Sequence, residues 1–542
     1  MSMIRIPPYR FRLVSKIAKT RGTRGFTEKT ARAVSDFIEV KHKDTLFKNK
    51  DDHLNQAVSH MMKNIVIESS KQDARFKVKD LQLIGSMYEE TKILAPNEFD
   101  FFAVFDYDIT SDRGISLESG CRPGFTKIRV NENSKQWSDC CQGFYLSPHK
   151  CMRIFETLLP SHLENISPII TPSGTLYGWK RRKRTFDFVW KKNGDSNMNI
   201  AVDIMPAFPV IYKDLHKTLR EDCTDTRMDE IGHNQVCYLI PRSCEHHYEG
   251  KCWHNSFAHA ESEMIRKMDS GKKKCHRVLK LLFTSDQMGK SEYLTSYALK
   301  SAIMYKSKKD FDHELEFILF IFIYFAKCFD QTCMPTYFLT KTNVLKNILE
   351  HRTHNIWGSH FLCDTLVRRQ LVGNIEKSEL RRRYPAWNSA IVLEFWRRMM
   401  ILLIVVFSTT ESSENIEKVF ELIIDTHSNS NFYYLDQLRN RKLNWLLAAP
   451  QYDVLNIRAK YRRVISSLDI PIYTEMTNEL QKYKLLDIDA LNSLIREYKY
   501  TFKAGNDQFV NLEVRRDTNV YIPNRTSCKS EYLLRQQYTV RY

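Results

Sequence analysis

The most constraining feature of this chain is a pair of acidic residues, Glu98 and Asp100, separated by Phe99 inside an otherwise apolar run. Side chains alternate along a β-strand, so both carboxylates project from one face while Phe99 and Phe101 take the other. Two carboxylates this close cannot both stay ionised cheaply unless cations lie between them. Because Mg²⁺ and Mn²⁺ prefer hard oxygen ligands, the pattern predicts a site for such cations.

A Gly-Ser pair, Gly85 and Ser86, precedes these acids and follows a short apolar run at residues 81–84. A Gly-Ser turn offers backbone N–H groups and a hydroxyl to phosphate oxygens. A phosphate-binding turn beside metal-binding carboxylates is typical of nucleotidyl transfer by two metal ions.

A third acid, Asp203, is the single charge in the strand predicted at residues 199–206. Burying a lone carboxylate costs several kcal/mol unless a partner or a metal compensates it. Taken alone, Asp203 is better explained as a structural residue that caps a turn. Beside Gly85, Ser86 and the acidic pair, a metal-binding role becomes the stronger interpretation.

Composition indicates a globular chain of roughly two to four domains by its length. The thirteen cysteines are scattered, and Arg5 and Pro7 lie where a secretory leader would be apolar. The longest apolar runs, residues 317–326 and 399–407, are shorter than the roughly twenty residues of a membrane span, so they predict buried helices. We therefore expect no membrane association and a reducing compartment, cytoplasmic or nuclear.

Positive charge is concentrated at the N-terminus. The formal net charge is +18, and residues 1–50 alone hold thirteen Lys or Arg against four Asp or Glu. This asymmetry favours a polyanionic partner, most simply nucleic acid. A basic tail that serves solubility or nuclear import is the alternative. The basic cluster at residues 179–184 fits a nucleic-acid contact, a nuclear address or a solvated hairpin edge.

The order of patterns along the chain suggests its organisation. Residues 1–25 are predicted to be a basic flexible arm, and Thr27–Lys71 a long helix or a helix pair. Residues 74–240 alternate short apolar runs with turns, which indicates a mixed sheet, whereas residues 250–425 have helical periodicity. The predicted domains are residues 26–245 for the first helix and the core, 246–425 for a helical lobe, and 426–542 for a helical extension with a basic tail.

The ordered set of motifs resembles the cyclic GMP–AMP synthase-like receptors. The string from Gly85 to Asp100 carries the strongest part of the resemblance, and weaker motifs follow in the family's order up to about residue 305. These are Val202-Asp203-Ile204, Trp253-x-x-Ser256-Phe257 with Glu261, Cys275 with Lys280, and Ser296-Tyr297-x-x-Lys300.

The resemblance implies an α+β fold: a nucleotidyltransferase mixed sheet with a long N-terminal spine helix, plus an all-α C-terminal lobe. It implies that Glu98, Asp100 and Asp203 are catalytic and hold two Mg²⁺ or Mn²⁺ ions, with Asp203 helping to activate the attacking hydroxyl. Ser86 would hold triphosphate oxygens, and Tyr297 would stack on a base. The further implied nucleotide-binding residues are His254, Asn255, Ser256, Phe257, Ala258, Glu261, Lys280, Ser296, Ala298, Leu299 and Lys300.

The implied function is a nucleic-acid-activated enzyme that joins ATP and GTP, or another NTP, into a cyclic dinucleotide for innate antiviral signalling. Double-stranded RNA is the expected activator and double-stranded DNA the alternative, and a homo-oligomer on the nucleic acid stays open. A non-catalytic scaffold or nucleotide-binding protein of the same fold is the second hypothesis. A synthase of linear chains is the third.

Two positions depart from the vertebrate DNA-sensing members of the family, which have arginine where this chain has His254 and threonine where it has Met205. Both help to read guanine there, so a pyrimidine nucleotide becomes a rival for the second substrate. The vertebrate zinc-binding insertion is also missing. No zinc is expected, because the nearby cysteines and histidines have no regular ligand spacing. These are Cys244, His246, His247, Cys252, His254 and His259.

Overall fold

The computed structural model describes residues 27–46, 52–93, 95–110, 112–121, 124–132, 134–193, 197–219, 235–242, 250–284, 295–307, 310–331, 334–339, 344, 396–429, 471–486 and 491. Residues 1–486 form one compact unit, and residues 487–542 form a second, of which residue 491 alone is described. The sheet and the helices that carry the candidate residues all lie in the first unit.

Two helices form the described N-terminal part: α1 spans Glu28–Thr45 and α2 spans Asp52–Ser70. The side chain of Thr27 caps α1 by accepting a hydrogen bond from the backbone N–H of Thr30 at 3.0 Å. The helix ends because Leu46 adopts an extended backbone. Of the two arrangements that the sequence left open, the structure therefore has the helix pair.

A mixed sheet follows these helices. Its strands are β1 (Val78–Ile84), β2 (Glu98–Phe105), β3 (Ile115–Ser119), β4 (Phe125–Val130), β5 (Cys141–Gln142), β6 (Tyr145–Leu146), β7 (Ile169–Thr171), β8 (Gly174–Arg182), β9 (Thr185–Lys192), β10 (Asn197–Ile211), β11 (Val236–Ile240) and β12 (Cys252–Ser256). Helices α3 (Gly85–Tyr88), α4 (Pro148–Leu158) and α5 (Tyr212–His216) lie between strands. The strand order is β5-β6-β4-β12-β11-β10-β9-β8-β7, with β1 on β2, β2 on β10 and β3 on β4.

The long strand β10 holds the sheet together. It pairs with β2 in parallel and with β9 and β11 in antiparallel fashion. Residues 201–203 have a partner strand on either side, and Val202 and the neighbouring Ile204 are almost completely buried. Burial of these apolar side chains fixes the register, because a slip by one residue would turn them towards solvent.

The basic cluster at residues 179–184 forms the end of a hairpin. Strand β8 runs through Arg182, and Lys183 has a φ of 57° in the turn before β9. On β9, Phe186, Phe188 and Trp190 are buried, because alternate side chains of a strand share one face.

One predicted boundary differs from the structure. The segment from residue 250 onwards was predicted to be all-α, but β12 at Cys252–Ser256 pairs with β11 and β4. The helical prediction is wrong for these five residues. The strand is too short to show its own periodicity, and the pattern of the helix that follows it dominates the segment. The five residues were therefore assigned to the helix.

Helices make up most of the remaining described residues. They are α6 (Ala258–Arg266), α7 (Ser270–Thr284), α8 (Ser296–Met304), α9 (Glu314–Gln331), α10 (Ser413–Asn429) and α11 (Pro471–Lys482), and residues 396–409 are also helical. The two long apolar runs lie buried in α9 and in helix 396–409, as predicted. Within the described residues, no helix has the length and apolarity that a membrane crossing needs.

Candidate active site

The structure places Asp203 beside Asp100. Strands β2 and β10 run in parallel, and their register pairs Asp203 with Asp100 and Ala201 with Glu98. Side chains two residues apart on a strand share a face, so Glu98, Asp100 and Asp203 project from the same face of the sheet. This group of three carboxylates is called the acidic edge below. Residues more than a hundred positions apart in sequence thus become direct neighbours.

Gly85 allows the turn before the acidic edge to approach it closely. Its backbone has a φ of +68°, which L-residues with a side chain rarely adopt. A Cβ atom at this position would lie 2.8 Å from Oδ2 of Asp100. Any larger residue would therefore meet both backbone strain and the carboxylate of Asp100.

The electrostatics of the acidic edge favour the binding of a positive charge. Burial and the neighbouring carboxylates of Glu98 and Asp203 raise the pKa of Asp100 from 3.8 to about 6. A divalent cation would remove this repulsion, and carboxylate oxygens are the ligands that Mg²⁺ and Mn²⁺ prefer. The residues present therefore fit such a cation.

The two outer acids are engaged by other side chains. Lys92 Nζ lies 2.8 Å from Glu98 Oε2, and this hydrogen bond keeps the pKa of Glu98 below its ordinary value. The hydroxyl of Thr185 on β9 donates to Asp203 Oδ1 at 2.5 Å. Consistent with these contacts, the part of the chain that the structure describes has no group of three or more Asp, Glu, His or Cys side chains already gathered as metal ligands.

Two further candidates lie around the acidic edge. Ser86 is half-buried in α3, and its carbonyl accepts hydrogen bonds from the backbone N–H groups of Thr91 and Lys92, both at 2.9 Å. Burial and the charge of Lys92 lower the pKa of Lys280 to about 8, while the acids at the edge oppose that shift. Its Nζ lies 3.4 Å from the carbonyl oxygen of Thr91.

The candidates of residues 254–258 follow β12 into α6. His254 is half-buried and packs edge-on against Phe125, with ring centroids 5.2 Å apart. Asn255, Ser256 and Phe257 are buried. The Ser256 hydroxyl accepts a hydrogen bond from the N–H of half-buried Ala258 at 3.3 Å. Cys244, His246 and His247, named above in the zinc argument, lie outside the described residues.

The remaining candidates belong to the helical part. The Tyr297 hydroxyl donates to Glu261 Oε1 at 3.1 Å, and the residue is 40% exposed. Lys300 is only 9% exposed, and its ammonium group lies 3.6 Å from Glu261 Oε2.

The neighbours of Tyr297 on α8 differ in exposure. Ser296 is exposed, whereas Ala298 and Leu299 are buried among other helices. The structure thus brings Glu261, Tyr297 and Lys300 together and keeps the side chains of Ala298 and Leu299 away from solvent.

Three residues that the motifs did not single out contact the predicted ones. They are Thr185 on Asp203, Lys92 on Glu98, and Glu89, whose carboxylate accepts from Lys300. Glu89 and Lys92 belong to the string that carries the resemblance, so their positions offered a signal. Thr185 offered none, because only the β9–β10 register brings it next to Asp203.

A mixed sheet with an acidic edge on two parallel strands, preceded by a glycine turn, is the arrangement that the resemblance to nucleotidyltransferases implies. Residues 87–267 match the family model of the Mab-21 protein nucleotidyltransferase domain. This confirms the resemblance and the α+β fold class inferred from the sequence. The match includes all three acids and Glu261, whereas Gly85, Ser86 and helices α7 and α8 lie outside it.

Curated relatives point in the same direction. A cyclic GMP-AMP synthase-like receptor of Magallana gigas is 27% identical over 299 residues, which cover 49% of this chain and 48% of the relative. The cyclic GMP-AMP synthase of Sus scrofa is 21% identical over 334 residues, 55% of this chain and 63% of the relative. That of Mus musculus is 22% identical over 374 residues, 61% and 68% respectively. The chain thus spans about half the length of the first relative.

Proposed function

We propose that this protein is a metal-dependent nucleotidyltransferase that makes a cyclic dinucleotide from two NTPs in innate antiviral signalling, once double-stranded nucleic acid has bound. The pairing of Asp203 with Asp100, two residues after Glu98, carries the proposal. The names of the similar proteins support the product class, because they are a cyclic GMP-AMP synthase-like receptor and two cyclic GMP-AMP synthases.

The acidic edge would hold two Mg²⁺ or Mn²⁺ ions through Glu98, Asp100 and Asp203. When bound, such ions neutralise the charge that builds up on the phosphates and lower the pKa of a coordinated hydroxyl. Asp203 would accept the proton of the attacking ribose hydroxyl, and the Thr185 hydroxyl orients its carboxylate for this step. Lys92 and Lys280 would add positive charge where the triphosphate lies.

The nucleotide would lie between the turn at Gly85–Ser86 and helix α8. The exposed part of the Tyr297 ring is available for stacking on a base, and its hydroxyl is held by Glu261. Stacking of a base on an aromatic ring contributes about 1–3 kcal/mol. Lys300 is buried too deeply to contact a nucleotide over much of its surface. Its proposed role is instead to hold the carboxylates of Glu261 and Glu89 in position.

The charge that attracts nucleic acid lies mainly ahead of α1. This helix contains four Lys or Arg and four Asp or Glu, so it has no net formal charge. Lys41 and Lys274 form ion pairs with Glu417 and Glu39, which ties up charge around the helix. Within residues 1–50, the positive excess therefore resides chiefly in the predicted basic arm, outside the described residues. Phosphate contacts made by such an arm predict a steep salt dependence of binding.

The experiment is product analysis by high-resolution mass spectrometry. Wild-type protein is incubated with an NTP mixture, Mg²⁺ or Mn²⁺, and in turn duplex RNA, duplex DNA or neither. The proposal predicts a cyclic dinucleotide with one duplex type, and its loss in Asp100→Ala and Asp203→Asn. Asp106→Asn is the matched control, since Asp106 follows β2 directly but pairs with Lys77 at the surface. Absence of a cyclic product under all conditions refutes the proposal.

A non-catalytic nucleotide-binding role is the second candidate. It is favoured by the separate engagement of Glu98 by Lys92 and of Asp203 by Thr185, which leaves the carboxylates ungathered. Stabilisation by NTP and metal without any turnover would support this role. Linear products longer than dinucleotides would instead indicate a synthase of linear chains.

A further inference from the structure

Four residues, Tyr88–Thr91, connect the turn at Gly85–Ser86 to the helices of the lobe, and are called here the 88–91 segment. Tyr88 begins this connection, because its hydroxyl donates to the carboxylate of Glu263 on α6. The guanidinium of Arg266, on the same helix, lies 5.0 Å from the centroid of the Tyr88 ring. These contacts are near the surface and fix the outer side of the segment.

Glu89 provides the buried contact. It is 3% exposed, accepts a hydrogen bond from the Ser262 hydroxyl at 2.8 Å, and accepts another from the Lys300 ammonium group. Lys300 lies between Glu89 and Glu261, so one buried cation links the segment to α6 and α8 at once. Removal of one partner from a buried charge pair is costly, because it leaves the other uncompensated.

Glu90 is held by its main chain as well as its side chain. Its backbone has a φ of 60°, the left-handed region that costs a non-glycine residue about 1–2 kcal/mol. Arg277 on α7 directs Nε, at 2.9 Å, and Nη2 to the single carbonyl oxygen of Glu90. Lys273 lies 3.2 Å from the Glu90 carboxylate, and Lys280 contacts the next carbonyl, that of Thr91.

The 88–91 segment is short and directly attached to the site. Within it and around it, the N–H of Glu89 donates to the Gly85 carbonyl at 3.0 Å, and those of Thr91 and Lys92 donate to the Ser86 carbonyl. Gly85 lies so near Asp100 that a Cβ atom on it would be 2.8 Å from Oδ2, and Lys92 pairs with Glu98. A displacement of the segment against α6–α8 would therefore move the turn relative to Tyr297 and would shift Lys92, the partner of Glu98.

We propose that Arg277 and Glu89 are positioning residues: through the 88–91 segment they fix the Gly85–Ser86 turn, and with it Lys92 at the acidic edge, relative to helices α6–α8. This inference deepens the proposed function and rests on it. Neither residue needs to touch substrate. Their role is to keep the turn that binds the phosphates aligned with the helix that binds the base of the same nucleotide. Small misplacements of reacting groups reduce turnover strongly.

The test compares Arg277→Met with Lys273→Met. Both variants remove one positive charge from the same helix, so an effect on nucleic-acid attraction is matched. Only Arg277→Met removes the bond to the Glu90 carbonyl, whereas Lys273→Met removes an ion pair whose acidic partner, the Glu90 carboxylate, is more than half exposed. Arg277→Lys keeps the charge but lacks the planar fork, and Glu89→Gln keeps the shape of the side chain while it removes the buried pair with Lys300.

Two readouts are needed. In the absence of duplex, hydrogen exchange at the amides of Glu89, Thr91 and Lys92 should become at least about tenfold faster in Arg277→Met and in Glu89→Gln. With duplex, kcat should fall by about tenfold or more while KM for NTP changes by less than about threefold. Lys273→Met should stay within about twofold of the wild type in both measurements.

The outcomes separate the two proposals. Unchanged amide exchange in Arg277→Met and Arg277→Lys overturns the inference, as does faster exchange with unchanged kcat. A fall in kcat for Lys273→Met as large as that for Arg277→Met also overturns it, since charge alone would then explain the loss. A wild-type protein without turnover refutes the proposed function, and amide exchange still decides whether Arg277 and Glu89 hold the segment.

Discussion

Replacement of Asp100 by asparagine should stabilise the metal-free protein. Burial, Glu98 and Asp203 raise the pKa of Asp100 from 3.8 to about 6, so the folded state binds this proton more tightly than the unfolded state does. As the pH rises through this interval, the unfolded state loses the proton first and stability falls. Above pH 6 the full cost is present, about 3 kcal/mol at roughly 1.4 kcal/mol per pH unit. Asp100→Asn removes that cost.

The assay is urea-induced unfolding in EDTA, followed by tryptophan fluorescence, at pH 7.5 and pH 5. Asp100→Asn should raise the free energy of unfolding by up to about 3 kcal/mol at pH 7.5 and by about half as much at pH 5. The control Asp106→Asn should give no gain, because the Lys77 hydrogen bond lowers the pKa of Asp106. Mn²⁺ should then stabilise the wild type but not Asp100→Asn.

Two results would refute this reasoning. One is an Asp100→Asn variant that is no more stable than the wild type at pH 7.5. The other is a gain that does not shrink at pH 5, since the gain would then not come from the ionisation of Asp100.

Three further predictions concern the surroundings of the acidic edge. In Gly85→Ala the added Cβ would lie 2.8 Å from Asp100 Oδ2 at a φ of +68°. The variant should therefore lower the free energy of unfolding, measured in urea, by at least about 1–2 kcal/mol and reduce product formation. A variant with unchanged stability and turnover would contradict the close approach. Thr185→Val should reduce kcat because Asp203 loses its hydrogen bond, whereas Thr185→Ser should keep both the hydrogen bond and the wild-type kcat. Equal kcat values in the two variants would show that Thr185 does not orient Asp203. Activity should decline above a pH of about 8 as the Lys280 ammonium group, whose pKa is about 8, loses its proton. Lys280→Arg should extend the pH–rate profile to higher pH, and an unchanged profile would contradict this role of Lys280.

The sequence predicted the parts of the site that depend on local pattern. Alternation placed Glu98 and Asp100 on one face of a strand, and an apolar run with a single acid marked Asp203. The pairing of β2 with β10 was not readable from one sequence, because apolar strands do not specify their neighbours. The contact of Thr185 with Asp203 follows from the separate pairing of β9 with β10, which was hidden for the same reason.

Other features were missed for a different physical reason. A glutamate such as Glu89 usually lies at the surface, and only the convergence of α6 and α8 makes it a buried partner of Lys300. The strand β12 was read as helix because five residues are too few for a period-two signal. Tertiary packing decided both, which is why the helical lobe was predicted in outline and its contacts were not.

The parallel pairing of β2 with β10 has a consequence for when the acidic edge forms during folding. Parallel strands with a long intervening chain close a large loop, so their contact forms slowly and at a late stage of folding. A nascent or truncated chain that has not yet docked its fifteen-residue central strand has no complete acidic edge. Incomplete products of translation or proteolysis that lack this strand would therefore also lack the proposed active site.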